Sequence, residues 1–402
     1  MSKHFFTLAL TCVLFQGISN AQTERGFHWN FGYWIGVDFS SGTAVQDSSR
    51  MATTEGSASI SDASGNLLFY TNGEQIYTAT HDTMPNGKLS KGHRSSFQCG
   101  IAIPDPGDPD QYYLFTVDAS EGGYKGLYYS IIDMSVGEGV VTSTKEVPLI
   151  SNTWEIITAT KHANGTDYWV VTHTLDTLVS EFYAYRVSSS GVSAPVTSSW
   201  NPGSMDNTLL KISPDGTRLA TVSHLLDFDN SNGTISNPRV TGVPVASLGP
   251  GVSFSPNSRY LYIVYADDIY QLDCTAPTLS ASATIVGTSS TSSPFLQLGP
   301  DGKIYVAQYN ERALDCIVCP NQAGTGCDYQ EDYVTFGGWF VKNPKKGLPN
   351  FVDAWFASDD SCGNPMPVEL AYFKGTHQSG NNLLQWETHS ETNNDYFVIE
   401  RS

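Results

Sequence analysis

A hairpin that recurs along most of the chain constrains the fold more than any other feature of this sequence. Each copy has an apolar strand, a turn built from Pro, Asp, Asn, Ser or Gly, and a second strand rich in Tyr, Val and Leu. The three tightest copies turn at Pro214-Asp215-Gly216, Pro256-Asn257-Ser258 and Pro300-Asp301-Gly302. Proline presets such a turn, Asp or Asn bonds its own backbone, and Gly accepts a positive φ. The sequence therefore predicts an all-β protein.

The spacing of the hairpins predicts a single β-propeller. The turn centres lie near residues 64, 108, 164, 215, 257 and 301, so successive copies are 42 to 56 residues apart. A four-stranded propeller blade repeats with a period of this size. Six copies are visible, and we expect a seventh blade where N-terminal strands in 29–39 join C-terminal strands in 333–356 and close the ring. Seven blades is the prediction; six blades is the alternative, and an array of β-sandwiches is the structural rival.

The first 21 residues have the pattern of a secretory signal peptide. Lys3 and His4 precede an apolar run from Phe5 to Phe15, and residues 19–21 (Ser-Asn-Ala) supply the small side chains of a cleavage site. The run is shorter than the roughly 20 apolar residues that cross a bilayer. We therefore expect an exported protein without a transmembrane segment, which passes through the periplasm and is extracellular or on the outer cell surface.

The charge of the chain excludes one class of partner. Charged residues make up only 15% of the sequence, and the formal net charge is −19. An acidic surface repels phosphate backbones, so we expect no nucleic-acid partner. The same diffuse acidity keeps a protein soluble, and we expect a monomer.

Cysteine usage favours disulfides. Of the seven cysteines, Cys12 lies in the signal peptide, and six remain. The remaining six are Cys99, Cys274, Cys316, Cys319, Cys327 and Cys362. An even number in an exported chain indicates disulfide bonds, although six cysteines allow fifteen pairings. Cys316, Cys319 and Cys327 are also spaced like part of a zinc site, but a fourth ligand is not evident.

Several motifs resemble a known family of exported propellers. They are Trp29–Gly32, Gly36–Phe39, Glu55–Asp62, Gly65–Gly73, Met84–Gly87 and Gly347–Phe351. Together they are similar to the N-terminal propeller of large proteins that gliding bacteria export by type IX secretion. The Pro-Asp-Gly turns are also similar to those of TolB-like and WD-repeat propellers, which is a more generic match. The resemblance implies an export route that uses the type IX machinery, and it implies no particular ligand.

The tail carries a second resemblance. Pro367–Phe373, Leu384–Thr388 and Glu391–Arg401 are similar to the fibronectin-III-like module that precedes a type IX sorting domain. A β-sandwich of this kind takes about 100 residues, so we expect this part to be truncated. The predicted organisation is a signal peptide at 1–21, a β-propeller at 22–357, a linker at 358–365 and an incomplete fibronectin-III-like β-sandwich module at 366–402.

Propeller topology predicts which polar residues surround the channel mouth. The first strand of a blade lines the channel and the second runs back beside it, so the start of one and the end of the other share a face. The residues predicted there are Glu55, Asn72, Gln98, Asp118, Glu155, His173, Asp206, Asn207, His224 and Asp267. Such a ring of carboxylates, amides and imidazoles could bind a sugar, a peptide or a divalent cation. Polar residues also line channel mouths without any function.

One hairpin suggests calcium. Asp227, Asp229 and Ser231 place oxygen ligands at alternate positions, as calcium loops do. The sixth position of an EF-hand loop requires Gly, and here it is Asn232. The tip of a β-hairpin explains the same residues equally well. No other cofactor is indicated.

Function is less constrained than architecture. The chain has no Gly-x-Ser-x-Gly elbow, no His-Glu-x-x-His motif and no phosphate-binding loop. We therefore expect a binding, adhesion or display module for a glycan or a protein rather than an enzyme. The alternatives are a polysaccharide hydrolase or lyase with its site at the channel mouth, where a Glu and Asp pair would supply the acid and base, and a structural spacer in a large adhesin.

Overall fold

The protein is a seven-bladed β-propeller, as the hairpin spacing predicts. The computed structural model describes residues 22–119, 122–123, 126–174, 180–200, 209–244, 251–291, 294–337, 343–358, 362, 369–378 and 381–390. In these residues seven antiparallel sheets follow one another along the chain, and a two-stranded sheet comes after them. The predicted signal peptide lies outside the described residues.

The first four blades take their strands in chain order. Blade 1 contains β1 (His28–Phe31), β2 (Tyr33–Asp38) and β3 (Val45–Ala52), and blade 2 contains β4 (Ala58–Ser61), β5 (Leu67–Thr71), β6 (Gln75–Thr78) and β7 (Thr83–Lys88). Blade 3 contains β8 (Gly100–Asp105), β9 (Asp108–Val117), β10 (Leu127–Asp133), β11 (Val140–Val141) and β12 (Val147–Ile150). Blade 4 contains β13 (Thr158–Lys161), β14 (Tyr168–His173), β15 (Ser180–Ser188), β16 (Gly191–Val192) and β17 (Val196–Trp200).

The last three blades have four strands each. Blade 5 contains β18 (Lys211–Ile212), β19 (Arg218–Ala220), β20 (His224–Asp229) and β21 (Thr234–Val240). Blade 6 contains β22 (Val252–Phe254), β23 (Tyr260–Tyr265), β24 (Asp268–Asp273) and β25 (Thr284–Thr288). Blade 7 contains β26 (Phe295–Leu298), β27 (Ile304–Ala307), β28 (Ala313–Ile317) and β29 (Tyr329–Thr335). Short 3-10 segments lie at Thr23–Gly26, Leu279–Ser282, Gly324–Cys327 and Asp353–Phe356.

The predicted turns have the expected chemistry. Between β18 and β19 the Asp215 carboxylate accepts a hydrogen bond from the backbone N–H of Thr217 at 3.0 Å. Gly216 follows with a φ of 70°, a left-handed conformation that glycine adopts without strain. Gly302 takes the equivalent position in blade 7 with a φ of 75°. Sequence-encoded turns therefore fix the hairpin of each of these blades.

The two faces of the propeller can be told apart by their loops. On the face where the innermost strands β4, β8 and β13 begin, the N–H of Thr53 bonds Gly32 O at 3.0 Å and the N–H of Gln98 bonds Glu155 O at 3.0 Å. We call this the upper face. The lower face carries the turns between the first two strands of each blade, such as the one at Asp215. All innermost strands named here therefore run from the upper to the lower face.

The C-terminal part of the propeller closes the ring beside β1. Tyr33 and Asn343 form an antiparallel bridge at the upper face, and the rings of Trp29 and Phe351 lie 5.7 Å apart halfway down. Pro349 also forms a parallel bridge with Ser57, just before β4. Segment 343–356 therefore takes the innermost position of blade 1. The N- and C-terminal parts of the chain share this blade, as the prediction of a closed ring requires.

The segment that closes the propeller differs from the prediction in its local structure. The stretch predicted as a strand at 351–356 ends in the 3-10 segment Asp353–Phe356, and the stretch at Tyr333 belongs to β29 of blade 7. The described part of segment 343–356 contains isolated bridges rather than a regular ladder. Pro344 and Pro349 explain this, since proline has no N–H to donate to a neighbouring strand.

Aromatic side chains fill the seam where the ring closes. Trp29, Trp355 and Tyr305 are each no more than 1% exposed. The ring of Trp29 lies 5.1 Å from Phe39 and 5.4 Å from Tyr305, so blades 1 and 7 are joined through one aromatic cluster. Contacts of this kind add about 0.5–1.5 kcal/mol per pair beyond the burial of apolar area.

The tail forms a hairpin. Strands β30 (Glu369–Gln378) and β31 (Asn381–Ser390) pair antiparallel, with Phe373 opposite Trp386. Both strands coincide with motifs that resemble a fibronectin-III-like module. The third motif, at 391–401, lies outside the described residues, as does most of the predicted linker at 358–365. The assignment to that module stays a prediction.

Candidate functional site

Segment 343–356 fills the centre of the propeller with polar side chains. Asn350 Nδ2 donates to the carbonyl oxygens of Ile157 at 2.8 Å and Gly100 at 3.3 Å, which belong to blades 4 and 3. Lys211 of blade 5 and Gln297 of blade 7 both reach Asp353. One short segment thus bonds to four blades through two side chains. We call Gln98, Lys211, Gln297, Asn350 and Asp353 the axial network.

The charged pair in this network is almost completely buried. Lys211 Nζ lies 3.4 Å from Asp353 Oδ1, and both side chains are 2% exposed. The ammonium also donates to Gln297 Oε1 at 2.6 Å and Asn350 Oδ1 at 3.3 Å, so each of its three N–H groups has an oxygen acceptor. Burial lowers the pKa of Lys211 and raises that of Asp353, while each group favours the charge of the other. The three acceptors match an ammonium, so we assign a charged pair.

Little space is left at the axis. A cavity of about 10 Å³ remains between the axial network and its apolar neighbours Phe97, Phe295 and Leu348. A single water needs roughly 10–15 Å³. This cavity therefore has room for about one water.

The predicted mouth residues at the starts of inner strands lie on the upper face, as expected. Glu55 and Glu155 precede β4 and β13, and the backbone of Glu55 is in close contact with Gly347, where an added Cβ would lie 1.9 Å from Glu55 O. Gln98 precedes β8 and donates to Leu210 O at 2.9 Å, while its own oxygen accepts from Leu210 N–H at 3.0 Å. Gln98 therefore links two blades.

The partners predicted at the ends of second strands are also buried. Asn72 is 5% exposed and its side-chain oxygen accepts from the N–H groups of Glu74 and Gln75, both at 3.0 Å, so it caps a turn. Asp118 is 1% exposed, and its carboxylate lies beneath Gly122. These two side chains are on the predicted face, but neither of them points to an open mouth.

His173 is the buried imidazole of blade 4. It is 1% exposed, its ring lies 4.9 Å from that of Phe182, and neither ring nitrogen has a hydrogen-bond partner in the described ranges. Burial lowers its pKa to about 4. The side chain is therefore neutral at physiological pH, and it behaves as an apolar group in the core.

His224 and Asp267 lie at the turns between the second and third strands of blades 5 and 6. His224 begins β20, where its Nδ1 lies 2.7 Å from Ser223 Oγ. Asp267 is exposed in the turn between β23 and β24. Asp206 and Asn207 lie outside the described residues. Ligand binding by the predicted mouth residues stays a prediction. One of them, Gln98, is already hydrogen-bonded within the axial network.

The loop predicted to bind calcium is a hydrogen-bonded hairpin tip. Asp229 Oδ1 accepts from the Ser231 hydroxyl at 2.6 Å and from the N–H of Ser231 at 2.9 Å, and Asp229 Oδ2 accepts from Asn232 Nδ2 at 2.7 Å; these hydrogen bonds lower the pKa of Asp229. Asp227 Oδ2 accepts from Asn237 Nδ2 at 2.8 Å. Across the described ranges no three His, Cys, Asp or Glu side chains gather as a metal site would require. Calcium stays a prediction.

An exposed aromatic group on the upper face was missed by the sequence analysis. The start of β2 in blade 1 carries Tyr33 and Trp34, with ring centroids 6.1 Å apart, and the loop after β27 carries Tyr309. Lys345 Nζ lies 4.4 Å from the Tyr33 ring and 5.3 Å from the Tyr309 ring. We call Tyr33, Trp34, Tyr309 and Lys345 the aromatic–lysine cluster. Trp34 is 39% and Tyr309 45% exposed.

The backbone at this cluster is unusual. Trp34 has a φ of 60°, in the left-handed region that large side chains rarely adopt. Asn310 next to Tyr309 has a φ of 65°, and its side-chain oxygen accepts from Lys345 Nζ. Turns ordinarily use Gly, Asn or Asp at such positions. A large aromatic residue at a hairpin turn is the signal in the sequence that could have identified this surface.

A larger cleft lies at the rim between blades 2 and 3. It has a volume of about 410 Å³ and is lined by β7, by the loop before β11 and by exposed Val136. Two carboxylates line it, Asp82 and Glu138, and Glu138 accepts a hydrogen bond from Thr80. The cleft is mostly apolar and shows no arrangement that selects a ligand.

The fold places the chain in the class of seven-bladed β-propellers, and comparisons with known proteins do not narrow this. No family model and no curated protein matches the chain. Among solved structures, a candidate 6-phosphogluconolactonase from Bacteroides fragilis NCTC 9343 is 11% identical, with a TM-score of 0.48 over 81% of this chain and 98% of that one. Regucalcin, a calcium-binding protein from Agrobacterium tumefaciens C58, is 13% identical, with a TM-score of 0.37 over 65% and 83%.

A third similar structure is a protein of unknown function from Desulfotomaculum acetoxidans DSM 771, at 13% identity and a TM-score of 0.42 over 69% of this chain and 78% of that one. At these identities and TM-scores the similarities give no information about activity, substrate or metal. In the part of the chain that the structure describes, no helix has both the length and the apolar character that a membrane crossing requires.

Proposed function

We propose that this protein is an exported binding or display module, extracellular or on the outer cell surface, whose ligand is a glycan or a protein. Its binding surface is the aromatic–lysine cluster on the upper face. Export through the periplasm and the type IX machinery is part of the proposal. The single observation that carries it is the convergence of Tyr33 and exposed Tyr309 on Lys345 from separate segments, with exposed Trp34 beside Tyr33.

The exposed rings are held in place at an energetic cost. A left-handed backbone costs about 1–2 kcal/mol for a residue with a side chain, and Trp34 carries that cost while 39% exposed. Residues kept in such conformations often cluster at ligand-binding sites. Trp and Tyr also provide rigid contact area at a low entropic cost, which is why they dominate binding hot spots.

The small volume of the cavity at the propeller axis favours the aromatic–lysine cluster as the binding surface. The cavity beside the axial network has a volume of only about 10 Å³, so among the described residues we place the ligand on an outer surface. The upper face offers π-faces for stacking and an ammonium for polar contacts, both next to the closed seam. Lys345 lies in segment 343–356 itself, so the residues that close the ring also complete the cluster.

Binding can be tested with the mature chain from Gln22 onward. A glycan array, and a pull-down from extracellular matrix material, should yield a ligand whose affinity falls at least tenfold in Trp34→Ala and in Tyr309→Ala. Tyr333→Ala is the matched control, because Tyr333 is also an exposed tyrosine, at 38%, but lies on the outermost strand of blade 7. Its affinity should stay within twofold of wild type.

Two results would contradict the proposal. One is a ligand bound equally well by wild type, Trp34→Ala and Tyr309→Ala, which would place the site elsewhere. The other is turnover of a polysaccharide, seen as release of reducing ends, that is lost in Glu155→Gln while the fold is kept. Export is tested separately by sequencing the N-terminus of the secreted form, which should begin at Gln22.

A further inference from the structure

The chain leaves the propeller along a defined path on the lower face. After the 3-10 segment Asp353–Phe356, the N–H of Ser358 donates to Pro256 O at 3.1 Å. Ser358 O accepts from Asn321 Nδ2 at 3.2 Å, and Asn321 Oδ1 accepts from the N–H of Asn257 at 3.1 Å. Asn321 lies in the loop that follows β28. The exit of the closing segment is thus tied to blades 6 and 7.

Two cysteines lie near this exit and contact each other. Cys319 is two residues before Asn321, and Cys362 is four residues after Ser358. The thiol of Cys319 is hydrogen-bonded to the thiol of Cys362. Cys319 is 8% exposed and Cys362 is exposed, so a reagent in solution reaches the pair through Cys362.

The other cysteines are less suited to pair with either of them. Cys327 is the nearest alternative for Cys319, but its thiol is fully buried and hydrogen-bonded to the Tyr262 hydroxyl. Cys99 and Cys274 are buried in other blades, and Cys316 is enclosed within β28. The contact between the two thiols therefore favours Cys319 and Cys362 as partners, which leaves three ways to pair the other four cysteines.

We propose that Cys319 and Cys362 form a disulfide that clasps the exit of the closing segment to blade 7. In the oxidation step, the Cys362 thiolate attacks a donor disulfide and forms a mixed disulfide, with release of one thiol. The Cys319 thiolate then attacks Cys362 Sγ and expels the second thiol. Two protein thiols lose two electrons and two protons, and the donor disulfide is reduced to two thiols.

The clasp has a mechanical consequence. Segment 343–356 is the innermost element of blade 1, and the chain continues from it into the tail hairpin. Without the clasp, a pull on the tail acts on the axial network and on the aromatic seam. With the clasp, the pull is carried by a covalent bond into the loop that follows β28, and the closing segment stays in place.

The pairing is tested by peptide mapping of the full mature chain. The protein is equilibrated with oxidised and reduced glutathione, free thiols are blocked with N-ethylmaleimide, and the unreduced digest is examined by mass spectrometry. A peptide that joins Cys319 to Cys362 is the expected dominant linkage. A Cys319–Cys327 linkage, or both cysteines alkylated after this treatment, would overturn the proposal.

The clasp itself is tested by urea unfolding with and without dithiothreitol. Wild type should lose about 1 M in its midpoint on reduction, because the disulfide no longer restricts the unfolded chain. Cys362→Ser, which alters an exposed residue, should have the reduced midpoint under both conditions. Cys274→Ser is the control, and it should keep the shift on reduction. A linked wild type with the same midpoint in both conditions would refute the role as a clasp.

Discussion

The buried ion pair of the axial network stabilises the propeller, and its contribution to the free energy of unfolding can be measured. Lys211 and Asp353 are 3.4 Å apart at 2% exposure. Two unit charges at that distance attract by about 5 kcal/mol at an effective dielectric of about 20. Lys211→Met keeps most of the aliphatic stem and removes the ammonium, so it leaves the buried carboxylate with Gln297 Nε2, at 2.9 Å, as its hydrogen-bond donor. We expect a loss of about 3–5 kcal/mol of unfolding free energy at pH 7.

The loss should depend on pH in a defined direction. Burial already raises the pKa of Asp353, and removal of the ammonium raises it further. A group whose pKa is higher in the folded state favours folding when protonated, and this contribution is lost as the pH rises through the folded pKa. The deficit of Lys211→Met relative to wild type should therefore be smaller at pH 4.5 than at pH 7.

A double-mutant cycle separates the pair from packing. Asp353→Asn keeps the size of the side chain and removes the charge, and the double variant Lys211→Met/Asp353→Asn has no charge left unpaired. We expect the double variant to recover most of the loss seen in Lys211→Met, which gives a coupling free energy of at least about 2 kcal/mol. The assay is urea unfolding followed by tryptophan fluorescence, to which the buried Trp29 and Trp355 contribute among the eight tryptophans of the chain. A loss below about 1 kcal/mol for Lys211→Met, or a double variant whose loss equals the sum of both single losses, would refute the reasoning.

Three further predictions concern other parts of the ring. Gly347→Ala should lower the midpoint of thermal unfolding by several degrees, since an added Cβ would lie 1.9 Å from the backbone oxygen of Glu55; a melting curve equal to wild type would contradict the close approach. Burial lowers the pKa of His173 to about 4, so wild type should lose about 3 kcal/mol of unfolding free energy as the pH falls from about 6.5 toward 4. His173→Phe should not show this loss, so the difference between the urea midpoints of wild type and variant should change between pH 7 and pH 4.5. Trp34→Gly should be about 1 kcal/mol more stable than Trp34→Ala, because glycine adopts a φ of 60° without strain; equal urea midpoints for the two variants would show that the turn relaxes instead.

The fold was predictable because its determinants are local. The Pro-Asp-Gly turn at residues 214–216 and its counterpart at 300–302 each specify one hairpin, and their spacing specifies the number of blades. The closing segment was only partly predictable. Its position beside β1 follows from the need to close the ring, but its extended backbone with few ladder bonds depends on Pro344 and Pro349, and its contacts span up to 332 positions, from Trp355 to Thr23.

Only part of the candidate site could be predicted from the sequence. Topology correctly predicted that Glu55, Gln98 and Glu155 share the upper face. It could not predict that Asn350 fills the channel in front of Gln98, because this depends on the path of a segment about 250 residues further along the chain. The aromatic–lysine cluster was missed for a related reason. Tyr33 and Tyr309 are far apart in sequence, and only Trp34, placed where turns use glycine, stands out locally.

The closing segment also determines when the protein can finish folding. Blade 1 begins within the first residues of the described chain, yet its innermost element is made of residues that are synthesised last among the propeller blades. A chain that has not yet produced Asn350 and Asp353 lacks the side chains that join four blades at the axis. Blades 2 to 7 can form their hairpins as they emerge from the ribosome, while closure of the propeller requires residues 343–356. Completion of the native state is therefore a late, concerted event rather than the sum of independent blades.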